Sequence, residues 1–109
     1  MRLLDERPER LATIPYRAAG PGGATQNVQL AVERLRVDAL PDGCAAVVAV
    51  GDLQGVAPSP LGRESIRGLL ERRAPALTLC GHVHWDEPVA PLGDGHVVNV
   101  DARVVVFTA

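Results

Sequence analysis

The chain has 109 residues, 47% of them hydrophobic and 3% aromatic, which fits one small domain with an aliphatic core. Its formal net charge is −2, so we expect no nucleic-acid partner, because binding a phosphate backbone needs a basic surface. No apolar run is long enough to cross a bilayer and the first residues lack a signal-peptide pattern, so we expect no membrane contact and a cytoplasmic location.

The first part of the chain gives the weakest structural signal. We treat residues 1–24 as an irregular N-terminal segment and residues 25–109 as the domain. Within the segment, residues 11–16 could form a strand, and Pro15 would place that strand at the edge of a sheet, because proline has no backbone N–H to donate to a neighbouring strand.

A helix is predicted next, over residues 25–39. Thr25 is a suitable N-cap residue, and the apolar side chains of Val28, Val32 and Leu35 recur at helical spacing. A Pro-Asp-Gly turn then ends the element.

The middle of the chain predicts a strand, a helix and a second strand. Residues 44–50 form an uninterrupted apolar run between glycines, which is typical of a parallel strand buried on both faces. Residues 63–73 predict a helix, and residues 76–80 predict another buried strand. Because a strand–helix–strand unit joins parallel neighbours, we expect the two strands to pair with each other.

Short strands close the sequence. Residues 88–92 and 96–100 flank a Gly-Asp-Gly turn, which is a hairpin signal, and residues 103–107 are apolar and β-branched. The predicted fold class is therefore α/β, with a parallel βαβ core followed by short antiparallel strands.

Two histidines directly follow the second predicted strand. His82 and His84 are separated by one residue, and Gly81 lets the chain turn where the strand ends. Neutral imidazoles bind zinc, iron and manganese, so the pair is a candidate metal site. Asp86 or Glu87 could orient a ligand ring or add an oxygen ligand. A His-x-His pair on a surface loop also occurs without a metal, and its spacing alone does not decide between the two interpretations.

Asp52 follows the first predicted strand in a similar way. Because the carboxyl ends of parallel strands share one edge of a sheet, we expect the loops after Val50 and Cys80 to leave from the same edge. Asp52 is therefore a candidate oxygen ligand beside His82 and His84. The alternative is a carboxylate that caps its own loop by accepting backbone amides.

Residues 76–84 read Ala-Leu-Thr-Leu-Cys-Gly-His-Val-His, which resembles the Gly-His-x-His motif of the calcineurin-like metallophosphoesterases. The order of elements also resembles that family, in which a strand, a proline-containing loop, a helix and a second strand precede the motif. The Val-Val-Asn-Val-Asp sequence at residues 97–101 is similar to the strand and Asn-containing turn that follow it. The resemblance covers roughly residues 26–109.

This resemblance implies part of a two-sheet metallophosphoesterase-like sandwich and a metal-dependent phosphoester hydrolase. It implies that His82 and His84 bind a dinuclear pair of divalent transition metal ions (Mn, Fe or Zn), whose bridging hydroxide attacks a phosphoester substrate. The family's Asp-x-His and Gly-Asn-His-Asp/Glu motifs have no counterpart here, and Asp52 stands where another ligating histidine is expected. The implied enzyme is therefore incomplete in this chain.

A second alignment within the same superfamily concerns residues 51–55. Their sequence, Gly-Asp-Leu-Gln-Gly, resembles the Gly-Asp opening of diadenosine-polyphosphate hydrolases and Ser/Thr phosphatases, although that motif belongs well upstream of Gly-His-x-His. Both alignments place Asp52 near a metal.

Two alternatives to a hydrolase stay open. The chain could be a non-catalytic, degenerate phosphoesterase-like domain that acts in assembly or regulation, or a simple metal-binding domain. Because a partial sandwich leaves a sheet face and edge uncovered, we expect a homo-oligomer or a partner chain that completes the sheet.

Overall fold

The computed structural model describes residues 1–19, 21–51, 64–81 and 85–109. These residues form a small mixed α/β domain that consists mostly of strands, arranged in two sheets, with one short helix. The strands are β1 (Glu9–Ala19), β2 (Thr25–Arg36), β3 (Val47–Val50), β4 (Leu77–Cys80), β5 (Val89–Leu92), β6 (Gly95–Asn99) and β7 (Arg103–Thr108), and the helix is α1 (Glu64–Arg73). The predicted α/β class is confirmed in this coarser form.

The first sheet has four strands in the order β1-β2-β7-β3. β1 and β2 form a long antiparallel hairpin, β2 and β7 are parallel, and β3 is antiparallel to β7. The strand predicted over residues 11–16 is confirmed as part of β1, and β1 lies at the edge of the sheet, as Pro15 predicts.

The helix predicted over residues 25–39 is wrong, because β2 occupies most of this stretch. Leu35 and Val37 are buried while Arg36 between them is exposed, which is the two-residue period of a strand. Val32 and Leu35 are three residues apart and so lie on opposite faces of a strand, which means that pairing with β1 and β7 overrides the helical spacing.

The first residues of the chain pack onto this sheet. Leu3 pairs with Val37 through an isolated antiparallel bridge, and its side chain is buried. Residues 1–24, which we treated as an irregular segment, thus contribute both β1 and a core side chain to the domain.

The last four residues of the apolar run at 44–50 form β3, but β3 is neither parallel nor buried on both faces. It lies at the edge of the described sheet, antiparallel to β7, and its side chains alternate between half-buried and exposed. Val48 and Val50 are 58% and 54% exposed. The prediction was wrong because an apolar sequence does not specify which faces of a strand are covered.

The second sheet has three strands in the order β4-β6-β5. The predicted hairpin is confirmed: β5 and β6 are antiparallel and joined by a turn in which Gly93 has a φ of 59°. The predicted helix is confirmed as α1 and the strand before His82 as β4. The predicted parallel pair of β3 and β4 is wrong, because β4 is parallel to β6 and β3 belongs to the other sheet.

The two sheets share one hydrophobic core. Its buried side chains come from the N-terminal segment, from β2 and β7, and from β6 and the residues flanking these strands: Leu3, Leu35, Val37, Val98, Val100, Val105 and Phe107. Partly buried side chains of β3, β4 and β5 pack against them. Burying this apolar surface is the main favourable term for a domain of this size.

In the part of the chain that the structure describes, we find no helix with the length and apolar character needed to cross a membrane.

Candidate metal centre

The three predicted metal ligands lie outside the described residues. Asp52 belongs to the range 52–63, and His82 and His84 belong to the range 82–84. The candidate site is therefore built from the described residues that enter and leave these two ranges, chiefly Gly51 and Trp85.

Val100 joins the two strand ends from which the candidate ligands follow. Its carbonyl oxygen accepts a hydrogen bond from the Gly51 amide at 3.0 Å, and its own amide donates to the Cys80 carbonyl at 2.9 Å. Gly51 directly follows β3 and Cys80 is the last residue of β4. The carboxyl ends of β3 and β4 thus meet at one residue although the strands belong to different sheets.

The approach of Gly51 to Val100 requires a glycine. A Cβ atom at position 51 would lie 2.3 Å from the Val100 carbonyl oxygen and 3.0 Å from the Asp101 amide nitrogen. No such constraint holds at Gly81, where a Cβ atom would meet nothing within 4 Å. The close contact between the end of β3 and Val100 therefore depends on having glycine at position 51.

Buried polar side chains surround this junction. Asn99 is 1% exposed and Asp101 is 0% exposed, and the Asn99 side-chain oxygen accepts a hydrogen bond from the Asp101 amide at 3.0 Å. Burial raises the pKa of the Cys80 thiol, a hydrogen bond from the Asn99 side chain opposes this rise, and the negative charge of Asp101 adds to it. An amide and a carboxylate therefore lie close to the end of β4.

Arg103, the first residue of β7, is also buried, with 5% of its surface exposed. Its Nη2 donates to the carbonyl oxygen of Trp85, its Nε donates to the carbonyl oxygen of Asp101 at 3.4 Å, and its Nη1 lies 4.0 Å from Oε1 of Glu33. Trp85 is the residue that follows His84 in sequence. The guanidinium thus connects the chain beyond His84 to β2 and β7.

A small cavity of about 250 Å³ lies beside this guanidinium. Its charged lining consists of Arg10, Glu33, Asp86 and Arg103. Its volume is below the range of about 300–1,000 Å³ in which ligand pockets commonly fall. Asp86, which the sequence suggested as a partner for a ligating ring, is exposed and lines this cavity.

Metal ligation depends on the ranges that are not described. Among residues 1–19, 21–51, 64–81 and 85–109, no group of three His, Cys, Asp or Glu side chains could hold a metal ion. The donor set predicted from the sequence, two imidazoles and a carboxylate, fits a divalent transition metal. The junction at Val100 is compatible with that set, since the two chain segments that carry it follow residues that are both hydrogen-bonded to Val100.

Sequence reasoning gave no individual role to Glu33, Asn99, Asp101 or Arg103. A signal was present, because Asn99, Asp101 and Arg103 interrupt a valine-rich stretch in which apolar side chains are expected. Polar residues at such positions are buried with partners or lie at a site. Glu33 carried no comparable signal, since Arg34 and Arg36 follow it closely in sequence.

Compared with protein-family models, with curated proteins and with solved structures, the chain gives no significant match in any of the three. The relationship to the metallophosphoesterases thus depends on the motif at residues 81–84 and on the order of elements around it, and it stays a prediction.

Proposed function

We propose that this chain is part of a metal-dependent phosphoester hydrolase of the calcineurin-like type. The single observation that supports the proposal is the junction at Val100, whose backbone is hydrogen-bonded both to Gly51 after β3 and to Cys80 at the end of β4. Asp52 lies one residue beyond Gly51, and His82 lies two residues beyond Cys80. Because consecutive Cα atoms are about 3.8 Å apart, side chains this close to the junction can reach one ion.

In this proposal His82, His84 and Asp52 hold a divalent transition metal ion such as Mn, Fe or Zn. Such an ion supplies a Lewis acid and an acidified water for hydrolysis. Three protein ligands match the usual number in a catalytic zinc site. A dinuclear pair, as in the family, needs further ligands, which would come from another subunit or another part of the protein.

We also propose that a second copy of this chain completes the domain, so that the partial sandwich becomes whole. Support comes from β3, which lies at the edge of the described first sheet and exposes Val48 and Val50. Exposed apolar edge strands tend to pair with another chain. Sedimentation should therefore show a dimer or larger species, and Val48→Lys should shift it toward the monomer. A stable monomer of the unmodified chain would exclude self-association.

The test of function combines metal analysis with hydrolysis assays. The purified chain is expected to retain stoichiometric transition metal and to hydrolyse a phosphomonoester or phosphodiester with added Mn²⁺. His84→Ala should remove both properties. His96→Gln is the matched control, because His96 lies on β6 with its Nε2 2.8 Å from Glu6 Oε1, away from the junction. It should leave metal content and hydrolysis unchanged.

The remaining outcomes identify the alternatives. Stoichiometric metal without hydrolysis would indicate a simple metal-binding domain. A folded oligomer with neither metal nor hydrolysis would indicate a degenerate phosphoesterase-like domain that acts in assembly or regulation, which the missing family motifs and the exposed edge of β3 favour. Action in the cytoplasm stays a prediction from the sequence.

A further inference from the structure

The small cavity beside Arg103 continues the inner face of the first sheet beyond the hydrophobic core. Every second side chain of β2 lies on this face, and burial falls along it: Leu35 and Glu33 are buried, Ala31 is half-buried and Gln29 is exposed. The last three of these side chains line the cavity of about 250 Å³. The apolar core therefore ends at Glu33, where a polar cavity begins that opens to solvent at Gln29.

Glu33 contributes a buried carboxylate to this cavity. The residue is 8% exposed, and its one recorded ion pair in the described part of the chain is with Arg103, whose Nη1 lies 4.0 Å from Glu33 Oε1. That separation exceeds the length of a hydrogen bond. Because a buried charge is costly unless it is hydrogen-bonded, Glu33 is suited to accept from a positively charged donor inside the cavity.

Arg10 lies directly opposite Glu33 on β1 and also lines the cavity. Opposite side chains of an antiparallel pair share one face, with Cβ atoms about 4.5–5.5 Å apart. The strand register shifts between Arg10 and Ala12, and Arg10 Nη1 donates to Thr13 Oγ1 at 3.5 Å. Bulges of this kind re-aim side chains and are common beside sites. A carboxylate and a guanidinium thus face one cavity from neighbouring strands, and their recorded partners among the described residues are Arg103 and Thr13 rather than each other.

We propose that this cavity binds a small zwitterion of the α-amino acid class, with its ammonium group on the Glu33 carboxylate and its carboxylate on the Arg10 guanidinium. Asp86 and Arg103 add one charge of each sign to the lining, which suits a ligand that carries both charges. The volume is smaller than the range of about 300–1,000 Å³ for drug-sized ligands, as an amino acid requires. None of the lining residues is among the three proposed metal ligands, so this site can be tested independently of the proposed hydrolase.

The test follows the backbone amide signals of the ¹⁵N-labelled chain by NMR during titration with L-alanine, ethylamine or propionate. Ethylamine is alanine without its carboxylate, and propionate is alanine without its ammonium group. L-alanine should shift the amide signals of residues that line the cavity, such as Glu33, Ala102 and Arg103. Ethylamine and propionate should each bind about 10–100-fold more weakly, because each lacks one hydrogen bond to a charged group.

Two variants test the two charges separately. Glu33→Gln keeps the shape of the side chain and removes its charge, and it should weaken L-alanine binding about 10–100-fold. Arg10→Met should weaken it to a similar extent. The amide spectrum of each variant without ligand shows whether it folds. If Glu33→Gln does not fold, Arg10→Met, at an exposed residue, gives the result.

Glu9→Gln is the matched control for Glu33→Gln, because it removes the same charge from a carboxylate that accepts from Arg34 and does not line the cavity. Its affinity for L-alanine should equal that of the unmodified chain.

Three results would overturn the proposal. The first is that L-alanine shifts no cavity signal at tens of millimolar. The second is that ethylamine or propionate binds as tightly as L-alanine, which would show that the ligand need not be a zwitterion. The third is that folded Glu33→Gln or folded Arg10→Met binds L-alanine with unchanged affinity. Metal content and hydrolysis do not enter this measurement, so either proposal can fail while the other stands.

Discussion

The Gly51 amide donates a 3.0 Å hydrogen bond to the Val100 carbonyl, which connects the end of β3 to the turn that follows β6. This bond lies between the two sheets, since β3 belongs to the first and β6 to the second. It also fixes the point from which Asp52 follows. A single backbone contact thus matters both for the assembly of the domain and for the candidate metal site.

Gly51→Ala should therefore destabilise the domain. The added Cβ atom would lie 2.3 Å from the Val100 carbonyl oxygen, which belongs to the backbone and cannot rotate away. Forcing the two strand ends apart should cost about 1–3 kcal/mol of unfolding free energy. Thermal denaturation measures the loss.

Gly81→Ala is the control for this substitution, because it adds the same methyl group next to the other candidate loop. A Cβ atom there meets nothing within 4 Å. Its effect should stay within about 0.5 kcal/mol. Equal stability of the two variants would contradict the close approach at Gly51.

Among the described residues, Phe107 on β7 is the largest fully buried side chain, with 0% of its surface exposed. Phe107→Ala should lower the free energy of unfolding by about 3–5 kcal/mol, because it leaves a cavity in the core that the two sheets share. Urea denaturation measures this loss. Leu4→Ala, at a side chain that is 57% exposed, should change it by less than about 0.5 kcal/mol. A loss below about 1 kcal/mol for Phe107→Ala would show that the core is not built around this ring.

Ala74 ends helix α1 in a left-handed conformation, with a φ of 48°, and its amide donates to the Leu70 carbonyl at 2.8 Å. Glycine adopts this conformation without steric cost, so Ala74→Gly should stabilise the domain by about 0.5–1 kcal/mol. Thermal denaturation again provides the measurement.

The reverse substitution at Gly93 tests the same physics. Gly93 has a φ of 59° and a Cβ atom there would meet nothing within 4 Å, so only backbone strain opposes a side chain. Gly93→Ala should destabilise by about 1–2 kcal/mol. Changes in the same direction at Ala74 and Gly93 would refute the assignment of left-handed conformations.

Asp38 gives the domain a dependence on acid pH. The Arg2 amide donates to Asp38 Oδ1 at 2.8 Å and lowers the pKa of this carboxyl below its ordinary value of 3.8. Desolvation opposes this shift in pKa, and a hydrogen bond from the Ala39 amide adds to it. Because the folded pKa is lower than the unfolded one, the ionised carboxylate stabilises the domain above the unfolded pKa. That contribution is lost as the pH falls through the folded pKa.

Asp38→Asn isolates this contribution, because its side-chain oxygen can still accept both amides. The melting temperature of the unmodified chain should exceed that of the variant by a constant amount from about pH 7 to pH 5. The difference should shrink as the pH falls below 3.8. A difference that persists at lower pH would show that the charge of Asp38 is not responsible.

The elements with local signals were predictable from the sequence. The β5–β6 hairpin follows from its turn residues, and α1 follows from its length and apolar face. The helix predicted in place of β2 and the parallel pairing predicted for β3 were wrong, because both strands pair with β7, which lies far away in sequence. An apolar run predicts that a segment forms a strand with at least one covered face, but it does not identify the strand with which the segment pairs.

The candidate site was predictable only at the level of its motif. His82 and His84 were found from their spacing and Asp52 from its place after a strand. The parallel pair of β3 and β4, which was expected to bring these residues together, is wrong. Instead, residues at the ends of both strands are hydrogen-bonded to the backbone of Val100. The local sequence around Val100 contains no pattern that predicts these bonds.

The position of β7 between β2 and β3 has a consequence for how fast the domain reaches its native state. Ala31 pairs with Arg103 and Val50 pairs with Val104, so neither contact can close before the residues of β7 have been synthesised. Pairings between distant residues slow folding, commonly to milliseconds or seconds. Until β7 pairs with them, the β1–β2 hairpin and the valines of β3 lack their neighbouring strand. During this interval, binding by chaperones or misassembly competes with folding.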